Sequence, residues 1–599
     1  MIKDKSGDLA SDKKRLHRKK IILVYPECPV TYWSYTYALP FTGKKAVLPP
    51  LGLATVAAML GDTYEPVIVD MNVSVLTDDM IRSADYIFIS AMIVQKDSFA
   101  AIARRCKDLG ACVVAGGPYP TTSYEQIANV DHFVLNEAER TLPRFLHDLE
   151  NGIPAHVYTD DGDKPPMNIS PVPRFDLFAR DSYVNMALQY SRGCPFQCEF
   201  CDIVELFGRR MRTKSPEQVI KEITTLYDLG WRDSIFFVDD NFIGHVADVK
   251  RLLAALAVWQ REHSFPFLFY TEASVNLASD EELLTLMAEA GFNMVFLGIE
   301  TPSEESLASA GKVQNLKHDL LESIRTIQRH GMEVSAGFIV GFDTDTDDIF
   351  DRQIRFIEAA GIPTAMVGLL TALPKTQLYR RLEREGRLRA DSSGNNTHDL
   401  TMNFVPVLDE QTVTDGYKKI IAHIYKPANY FKRCITFLKN IRPHRKSSRA
   451  FKIRDLIVFA RSLVRQSFSR YGYRYIGFLI RAFFTRISMF SEAVRLAITG
   501  HHFFRITRTF LAVNDIKSTL EQFAASFEKM IAHELPHIDI SLVLKKAGRI
   551  KNRYIHAVQK KRSHLDKDFH YLMSDAISAF ERSLNAQYLS LTVSRKLGA

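Results

Sequence analysis

Short apolar runs alternate with helical patterns from Ile21 to Leu370, and this alternation restricts the fold more than any other feature of the sequence. Strands that alternate with helices pair in parallel, because each helix carries the chain back across the sheet. The first series therefore predicts an α/β fold over 21–150, a doubly wound parallel sheet behind a basic tail over 1–20. Its predicted strands are Ile21–Tyr25, Val67–Asp70, Tyr86–Ser90, Cys112–Ala115 and His132–Leu135.

A second series of strands begins beyond a polar, proline-rich stretch, which predicts a linker over 151–182. Its six β/α units predict a partial (β/α)6 barrel over 183–416. From about Tyr417 the strand patterns stop, and an α-helical C-terminal region is predicted over 417–599. The predicted barrel strands are Met186–Ser191, Ser234–Asp239, Phe267–Glu272, Met294–Glu300, Val334–Val340 and Ala365–Leu370.

Ligands of doubly wound sheets bind beyond the carboxyl ends of the strands. Asp70, Ser90, Gly116 and Gly117 occupy such positions and are candidate binding residues. The two glycines suit the close approach of a bulky ligand, although a tight turn from strand to helix explains them nearly as well. No Gly-x-Gly-x-x-Gly turn follows the first strand, so a nicotinamide cofactor gains little support.

Three of the seven cysteines crowd together after the first barrel strand, with the spacing Cys-x3-Cys-x2-Cys. Thiolates at Cys194, Cys198 and Cys201 can hold three irons of a [4Fe–4S] cluster and leave the fourth iron open to a ligand. A structural zinc site would need a fourth donor nearby, and the other cysteines are remote in sequence. The alternatives of a zinc clip or of free thiols are therefore disfavoured.

Polar residues and a glycine also follow the later barrel strands. The carboxyl ends of barrel strands meet at one face, so these residues should converge on the cysteine loop. A single carboxylate at such a place is more often solvated or capping, but the set predicts ligand contacts at Glu300 and at Asp239 or Asp240. The full set of candidates is Asp239, Asp240, Asn241, Glu272, Glu300 and Gly341.

The run Ser191-Arg-Gly-Cys-Pro-Phe-Gln-Cys-Glu-Phe-Cys-Asp202 resembles the signature of the radical SAM superfamily, in which Phe200 fits the aromatic before the last cysteine. The resemblance implies that the three cysteines bind the cluster and that its open iron chelates S-adenosylmethionine (SAM). It further implies one-electron cleavage of SAM to a 5′-deoxyadenosyl radical, with a reductant such as flavodoxin or ferredoxin. The runs 237–242, 298–301 and 337–341 match in place the superfamily's elements for the SAM amino group, ribose and adenine.

A doubly wound domain before such a barrel resembles the cobalamin-binding branch of the superfamily. The runs 50–53, 116–118, 237–244 and 372–376 look like those of hopanoid 2-methylases and bacteriochlorophyll side-chain methylases, over roughly Ile21 to Tyr425. The resemblance implies cobalamin as a further cofactor and methylation of an unactivated carbon in a small-molecule, lipid-like or polycyclic substrate. No Asp-x-His-x-x-Gly run supplies a histidine to cobalt, so the domain would bind cobalamin without one or be a relic.

Two other functions stay open. One is a radical SAM cyclisation, oxidation or rearrangement on the same scaffold without methyl transfer. The other is a non-catalytic iron–sulfur sensor or scaffold, which would not need carboxylates and glycines at successive strand ends.

The C-terminal region carries a concentrated positive charge, with 18 Lys and Arg against 2 Asp and Glu between Tyr430 and Phe510. Runs such as Ile453–Arg461 and Tyr475–Arg486 mix apolar and cationic residues, as helices lying on a membrane do. A helical cap with solvated arginines explains them equally well, and no recognised RNA-binding module supports a nucleic-acid partner. Without a long apolar run or a signal peptide, we expect a cytoplasmic protein, with peripheral contact at the inner membrane face through 430–510.

Overall fold

The computed structural model describes residues 18–160, 162–390, 392–397, 400, 402–442 and 453–534, with isolated positions between 545 and 582. Its first unit is a parallel sheet of six strands in the order β2-β1-β3-β4-β5-β6. The strands are β1 (Lys19–Tyr25), β2 (Tyr64–Asp70), β3 (Tyr86–Ser90), β4 (Val113–Gly116), β5 (His132–Val134) and β6 (Val157–Tyr158).

Helices cover both faces of this sheet, because alternate strand residues face two different apolar cores. Ile22 and Val24 of β1 lie in one core, and Ile21 and Leu23 lie in the other. The predicted doubly wound sheet is confirmed, and β6 adds a sixth strand from within the stretch that the sequence predicted as a linker. The helices are α1 (Leu39–Thr42), α2 (Leu51–Met59), α3 (Asp78–Arg82), α4 (Lys96–Asp108), α5 (Pro118–Ser123) and α6 (Ala138–Glu150).

The second unit is an open barrel whose six parallel strands lie in the order β14-β13-β12-β11-β10-β7. The predicted partial barrel is confirmed, but its first strand ends early. Ser191–Arg192 turns away as β8 and pairs antiparallel with β9 (Arg212–Thr213), so the two strands enclose the cysteine loop. The barrel strands are β7 (Met186–Leu188), β10 (Ile235–Phe237), β11 (Phe269–Ala273), β12 (Phe292–Glu300), β13 (Glu333–Val340) and β14 (Ala365–Leu369).

Helices follow the barrel strands and cover the outer surface of the barrel. Several have clear start signals: Ser215 caps α8, with Pro216 as its first residue, and Asp280 caps α10. These helices are α7 (Ile203–Phe207), α8 (Pro216–Asp228), α9 (Val246–Glu262), α10 (Glu281–Ala290), α11 (Glu304–Ser309), α12 (Val313–Leu316), α13 (Leu320–Arg329), α14 (Ile349–Ala360) and α15 (Gln377–Arg384).

The C-terminal region is helical wherever the structure describes it, as the sequence predicted. Arg433 of the second helix is fully buried and donates to the carbonyl oxygens of Ile362 and Ile424, which joins this region to the barrel. Within the described residues, no helix combines the length and the apolarity needed to cross a bilayer. The helices are α16 (Glu410–Ile424), α17 (Pro427–Asn440), α18 (Ile453–Ser467), α19 (Gly472–Thr485) and α20 (Phe490–Glu534).

Residues 31–37, which follow β1, leave the first unit and pack between the barrel and α20. The Trp33 ring lies 5.4 Å from the ring of Phe296 on β12. On α20, His502 Nδ1 accepts a hydrogen bond from the Tyr37 N–H at 3.4 Å, and its Nε2–H donates to the Tyr32 carbonyl at 3.1 Å. Burial lowers the pKa of His502 to about 3, so the neutral ring can both accept and donate. This histidine therefore fixes the segment that carries Trp33 against the barrel.

Candidate active site

The three clustered cysteines lie in the loop after β8, at the carboxyl ends of the barrel strands, and each is partly buried. Gly193 starts the loop with φ +97°, and a Cβ there would come within 2.7 Å of the Arg210 carbonyl oxygen, so only glycine fits. Burial raises the pKa of Cys194, Cys198 and Cys201. The free thiols are therefore protonated, and binding iron as thiolates releases their protons.

Buried polar atoms beside this loop test whether a bound group fits. Asp240 Oδ2, Gln314 Oε1 and Asn315 Oδ1 are buried without a hydrogen-bond partner. Gln314 Nε2 itself lies 3.8 Å from Cys198 Sγ. Unsatisfied buried polar atoms are costly, and a polar ligand at the loop would satisfy them. The residues thus fit a cluster with a polar molecule bound beside it.

The described residues contain no group of three or more His, Cys, Asp or Glu side chains arranged to hold one metal ion. A [4Fe–4S] cluster does not require that arrangement, because each cysteine binds a different iron. The absence of a single-ion site among the described residues is therefore no argument against a cubane.

A buried ion pair sets the charge beside the cysteine loop. Glu300, at the end of β12, has φ +64° at a bulge in the pairing of β12 with β13. Its Oε1 lies 2.7 Å from Lys312 Nζ. Burial alone would lower the pKa of Lys312, but Glu300 and Cys198 raise it above its usual value. The site thus holds a fixed cation that the sequence did not single out, since most lysines lie on the surface.

The structure separates the roles of the neighbouring residues after β10. Asp239 is fully buried and accepts hydrogen bonds from Ser191 Oγ at 2.6 Å and from the Tyr190 N–H at 3.0 Å. Its pKa is raised to about 6 by burial, against the effect of these hydrogen bonds. Asp239 therefore holds the start of the cysteine loop, whereas Asp240 keeps one oxygen without a partner.

Asn241 follows directly and contacts the loop itself. Its side chain hydrogen-bonds the Cys194 thiol. Its Oδ1 accepts from Ser274 Oγ at 3.2 Å, which fixes the amide after the end of β11. Asn241 is thus held against the first cysteine.

The other predicted barrel residues lie around the same loop. Burial, followed by the charges of Asp239 and Glu300, raises the pKa of Glu272 to about 7. Gly341 has φ +102°, and its N–H donates to Asp345 Oδ2 at 2.8 Å. The Phe200 ring lies 6.1 Å from the ring of Phe342, the residue after Gly341. The fold thereby brings the predicted strand-end residues of the barrel together.

In the first unit, three of the four predicted residues meet at one point. Ser90 pairs with Gly116 across β3 and β4, and a Cβ on Gly117 would lie 2.4 Å from Ser90 Oγ. Asp70 lies apart, on the edge strand β2, where it accepts from the Tyr183 hydroxyl at 2.8 Å. Burial raises the pKa of Asp70, although its hydrogen bonds from Asn72 and Tyr183 oppose this. Asp70 thus joins the sheet to the segment that leads into the barrel.

The carboxyl edge of the first sheet contacts the cysteine loop through buried ion pairs. Arg192, two residues before Cys194, lies 2.6 Å from Glu137 and 2.9 Å from Glu139, at the start of α6 just beyond β5. Arg212 of β9 adds a second contact to Glu137 at 2.8 Å. The ligand-binding edge of the sheet and the mouth of the barrel therefore face one shared space. The sequence identified the strand end before Glu137 but not these partners, which depend on how the two units pack.

A hydrogen bond also joins the two units at this place. Lys375 Nζ donates to the Thr121 carbonyl at 3.0 Å, which joins the segment before α15 to α5. Lys375 has φ +67°, an uncommon conformation for a lysine. This contact lies next to the edge formed by Gly116 and Gly117.

The barrel lumen is lined by aromatic side chains. The rings of Phe236 and Tyr270 stack at 4.6 Å, and Phe296 packs against Trp33. On β12, Phe296 keeps partial exposure while its neighbours Val295 and Leu297 are buried under the outer helices. The lumen therefore offers an apolar wall below the polar strand ends.

Comparisons with known proteins match both units. A family model described as "Radical SAM superfamily" matches residues 188–357, and one described as "B12 binding domain" matches 44–146. A third, described as "Domain of unknown function (DUF4070)", matches 376–515. Similarity to known families thus continues well past Tyr425, where the sequence resemblance was expected to end.

Relatives of similar length support these matches. An uncharacterised methyltransferase of Synechocystis sp. is 45% identical over 441 residues, covering 73% of this chain and 82% of that protein. The hopanoid C-2 methylase of Rhodopseudomonas palustris is 36% identical over 420 residues, covering 69% of this chain and 78% of that protein. The cobalamin-dependent SAM radical enzyme OxsB, with aqua-cobalamin bound, shares the fold with a TM-score of 0.53 and 16% identity over 85% of this chain and 81% of that chain.

These matches fall on the sheet and the barrel that share the site, and they define a radical SAM enzyme with a B12-binding domain. Within that class, the chain belongs to the cobalamin-dependent radical SAM methyltransferases. Its cofactors are accordingly a [4Fe–4S] cluster, SAM and cobalamin, as the sequence resemblance implied.

Proposed function

We propose that this enzyme methylates an unactivated carbon of a polycyclic, lipid-like small molecule. The observation that carries the proposal is the direct contact between the cysteine loop and the carboxyl edge of the B12-binding sheet, through Arg192 with Glu137 and Glu139. The residues that would hold the cluster and SAM then lie beside those that would hold cobalamin, so that one substrate would contact both cofactors. The aromatic lumen and the kinship with a hopanoid C-2 methylase support an apolar, ring-containing substrate.

The chain's own residues position the reactants and exclude water. In the proposal, Cys194, Cys198 and Cys201 hold the cluster, while Asp239 and Asn241 keep their loop in place. When bound, the cluster with SAM supplies a hydrogen-abstracting radical and the cobalamin supplies the methyl group.

Polar groups around the loop bind SAM in this proposal. Lys312 would hold its carboxylate, and Asp240, Glu272 and Glu300 would hold its amino and ribose groups. Gly341 and Phe200 lie beside the same loop, where the superfamily resemblance implies adenine contacts. Ser90, Gly116 and Gly117 form the edge at which cobalamin approaches the backbone.

The test starts from protein made without oxygen, with cobalamin supplied. We expect about one corrinoid per chain, measured by absorbance after cyanide extraction. With SAM, a low-potential reductant and a pentacyclic triterpenoid, we expect S-adenosylhomocysteine, 5′-deoxyadenosine and methylated lipid in equal amounts. Cluster-loaded protein that binds no corrinoid would contradict the proposal. Turnover that yields 5′-deoxyadenosine without S-adenosylhomocysteine would instead favour the non-methylating radical SAM reaction.

We also propose a docking site for the protein that reduces the cluster. A groove of about 750 Å³ runs beside the cysteine loop and is lined by Arg209, Arg210 and Arg251, among others. Arg209 and Arg210 are exposed, and Arg209 Nη2 donates to the carbonyl of Pro195 in the loop at 3.3 Å. A positive surface next to a redox centre attracts acidic one-electron carriers, so we assign this groove to a flavodoxin or ferredoxin.

Charge reversal tests the groove. The variant Arg209→Glu/Arg210→Glu should lower the rate of cluster reduction by flavodoxin hydroquinone at least about tenfold at low salt, followed by stopped-flow bleaching of the cluster. Reduction by dithionite should not change, because a small reductant needs no docking. The matched control is Arg325→Glu/Arg355→Glu on the outer helices α13 and α14, where both arginines are exposed. Equal slowing in the control pair, or no slowing in the groove pair, rules the assignment out.

We also propose that the enzyme works in the cytoplasm, with peripheral contact at the inner face of the membrane. Such a location would bring it to a lipid-like substrate.

A further inference from the structure

Exposed apolar side chains concentrate on one part of the described surface. Of the twenty-three large apolar side chains that are exposed among the described residues, eleven lie between 453 and 487. They include Phe468 at 90% exposure and Phe484 at 83%. The eleven are Ile453, Leu456, Ile457, Leu463, Val464, Phe468, Tyr473, Ile480, Phe483, Phe484 and Ile487, and we call them the α18–α19 apolar face.

Helix α18 exposes its apolar stripe to solvent, whereas a helix that covers the core of a soluble protein buries that stripe. Ile453, Leu456, Ile457, Leu463 and Val464 follow helical spacing along one side, and all are exposed. The opposite side buries the polar residues Ser462 and Gln466, beside the partly buried Val458 and Phe459 that pack against the core. A packed helical cap would have buried the stripe instead, because apolar burial is what normally holds an amphipathic helix.

Polar contacts hold α18 in this orientation. Ser462 Oγ lies 3.0 Å from the Tyr475 hydroxyl, and Gln466 Nε2 donates to Ser462 Oγ at 2.8 Å. Arg454 forms an ion pair with Asp233 of the barrel at 3.0 Å, and Arg461 donates to the Phe41 carbonyl at 3.2 Å. The helix therefore presents its apolar stripe through specific bonds.

Helix α19 extends the face. It buries Phe478, Leu479 and Ala482 and exposes Ile480, Phe483 and Phe484. The rings of Phe459 on α18 and Phe483 on α19 both pack against Phe490, at 5.8 and 5.9 Å, so the two helices and the start of α20 are connected.

Arginines surround this apolar face. Arg465, Arg470, Arg474 and Arg481 are exposed, and no carboxylate pairs with them among the residues that the structure describes. Arg465 and Arg474 also stack on the rings of Phe41 and Tyr473. An apolar surface bordered by exposed arginines that no described carboxylate neutralises complements a bilayer with anionic headgroups, where the apolar groups enter the acyl boundary and the guanidinium groups meet phosphates.

We propose that the α18–α19 apolar face docks on an anionic lipid bilayer. The enzyme would then bind the membrane reversibly by one face while its barrel and B12-binding sheet stay in water. This surface does not depend on the proposed methylation, and it offers a lipid-like substrate a route to the enzyme. An experiment can therefore contradict the docking proposal without contradicting the proposed substrate, and the reverse.

The test uses the full chain with sedimenting vesicles, one set of phosphatidylcholine and one containing about one third phosphatidylglycerol. We expect binding to the anionic vesicles that weakens in high salt, with little binding to the zwitterionic ones. Phe468→Ser/Phe484→Ser should reduce the partition coefficient at least about tenfold, and Arg474→Gln/Arg481→Gln should reduce it about 30-fold on anionic vesicles. The matched control, Val75→Ser/Val407→Ser, alters exposed apolar residues elsewhere and should bind like the wild type.

Two further measurements test whether the variants are folded and whether the face binds another protein chain. Unfolding midpoints that match the wild type show that a variant with weaker binding is folded. Sedimentation velocity without lipid measures whether the α18–α19 apolar face binds a second copy of the chain instead of a bilayer. Wild-type self-association that the phenylalanine variant abolishes would assign the face to a second copy and overturn the proposal. Absence of vesicle binding, or binding that these substitutions leave unchanged, would overturn it as well.

Methylation of detergent-dispersed substrate provides the last comparison. The phenylalanine variant should retain wild-type turnover in detergent, because its changes lie outside the cysteine loop and the barrel lumen. Normal turnover with lost vesicle binding supports docking whatever the substrate proves to be. Vesicle binding without methylation of any lipid would leave docking intact and contradict the proposed function.

Discussion

Substitution of Cys198 by Ala is expected to abolish 5′-deoxyadenosine formation, with a loss of at least about 10³-fold. Cys198 is the middle thiol of the loop and is contacted by Gln314. Without it, one iron of the cluster loses its protein ligand, and the cluster cannot hold SAM in place for reductive cleavage. Iron and sulfide analysis, absorbance in the visible range and quantified 5′-deoxyadenosine measure the outcome.

The matched control is Cys112→Ala, which removes a partly buried thiol from the other unit. It should keep about four irons per chain and normal 5′-deoxyadenosine formation. If the Cys198 variant retained full turnover, the cluster assignment would be wrong. Equal loss of iron in the Cys112 variant would mean that the effect is not specific to the loop.

Lys312→Met is expected to weaken SAM binding by at least about 30-fold, because the carboxylate of SAM would lose its cationic partner. Lys312 Nζ lies 2.7 Å from Glu300 Oε1, and the charges of Glu300 and Cys198 raise its pKa. Its removal leaves the Glu300 carboxylate buried without a countercharge, where it repels the carboxylate of SAM. The free energy of unfolding should also fall by about 3–5 kcal/mol. Equilibrium binding to cluster-loaded protein and denaturant unfolding measure the two effects.

Two further variants separate binding from stability. Lys312→Met/Glu300→Gln removes both charges and should recover most of the lost stability, yet SAM binding should stay weak because the cation is missing. Arg433→Met breaks the buried pair with Glu358, between α17 and α14 and away from the loop, and should lose at least as much stability while binding SAM normally. Weak SAM binding in the Arg433 variant would show that the Lys312 effect is only structural.

Much of the fold followed from local patterns. The strand at Tyr86–Ser90 was predicted with the bounds that the structure has, since the apolarity of a buried strand is a local signal. The strand Val157–Tyr158 was missed because two residues carry no periodicity. The early end of β7 was missed because the cysteine loop turns back to pair with Arg212–Thr213, a contact distant in sequence.

Part of the candidate site could likewise be predicted from the sequence, and part of it could not. The cysteine spacing and the polar strand ends could be located from the sequence, because β/α topology brings strand ends to one face. The sequence left Asp239 and Asp240 equivalent, and only the structure shows that Asp239 bonds Ser191 while an oxygen of Asp240 stays without a partner. Lys312 and Arg192 could not be selected, because their roles depend on carboxylates that only folding places beside them.

The β/α order, the three-cysteine loop and the kinship with cobalamin-dependent radical SAM enzymes could all be read from the sequence, since they depend on periodicity and short spacing. The basic, apolar C-terminal helices remained ambiguous, because the same composition serves a packed cap or a membrane surface. The folded structure resolves this ambiguity, because α18 buries Ser462 and Gln466 and leaves its apolar stripe exposed. Amphipathic spacing predicts that a helix has two different faces, but the face that packs on the protein depends on the partners that the rest of the fold presents.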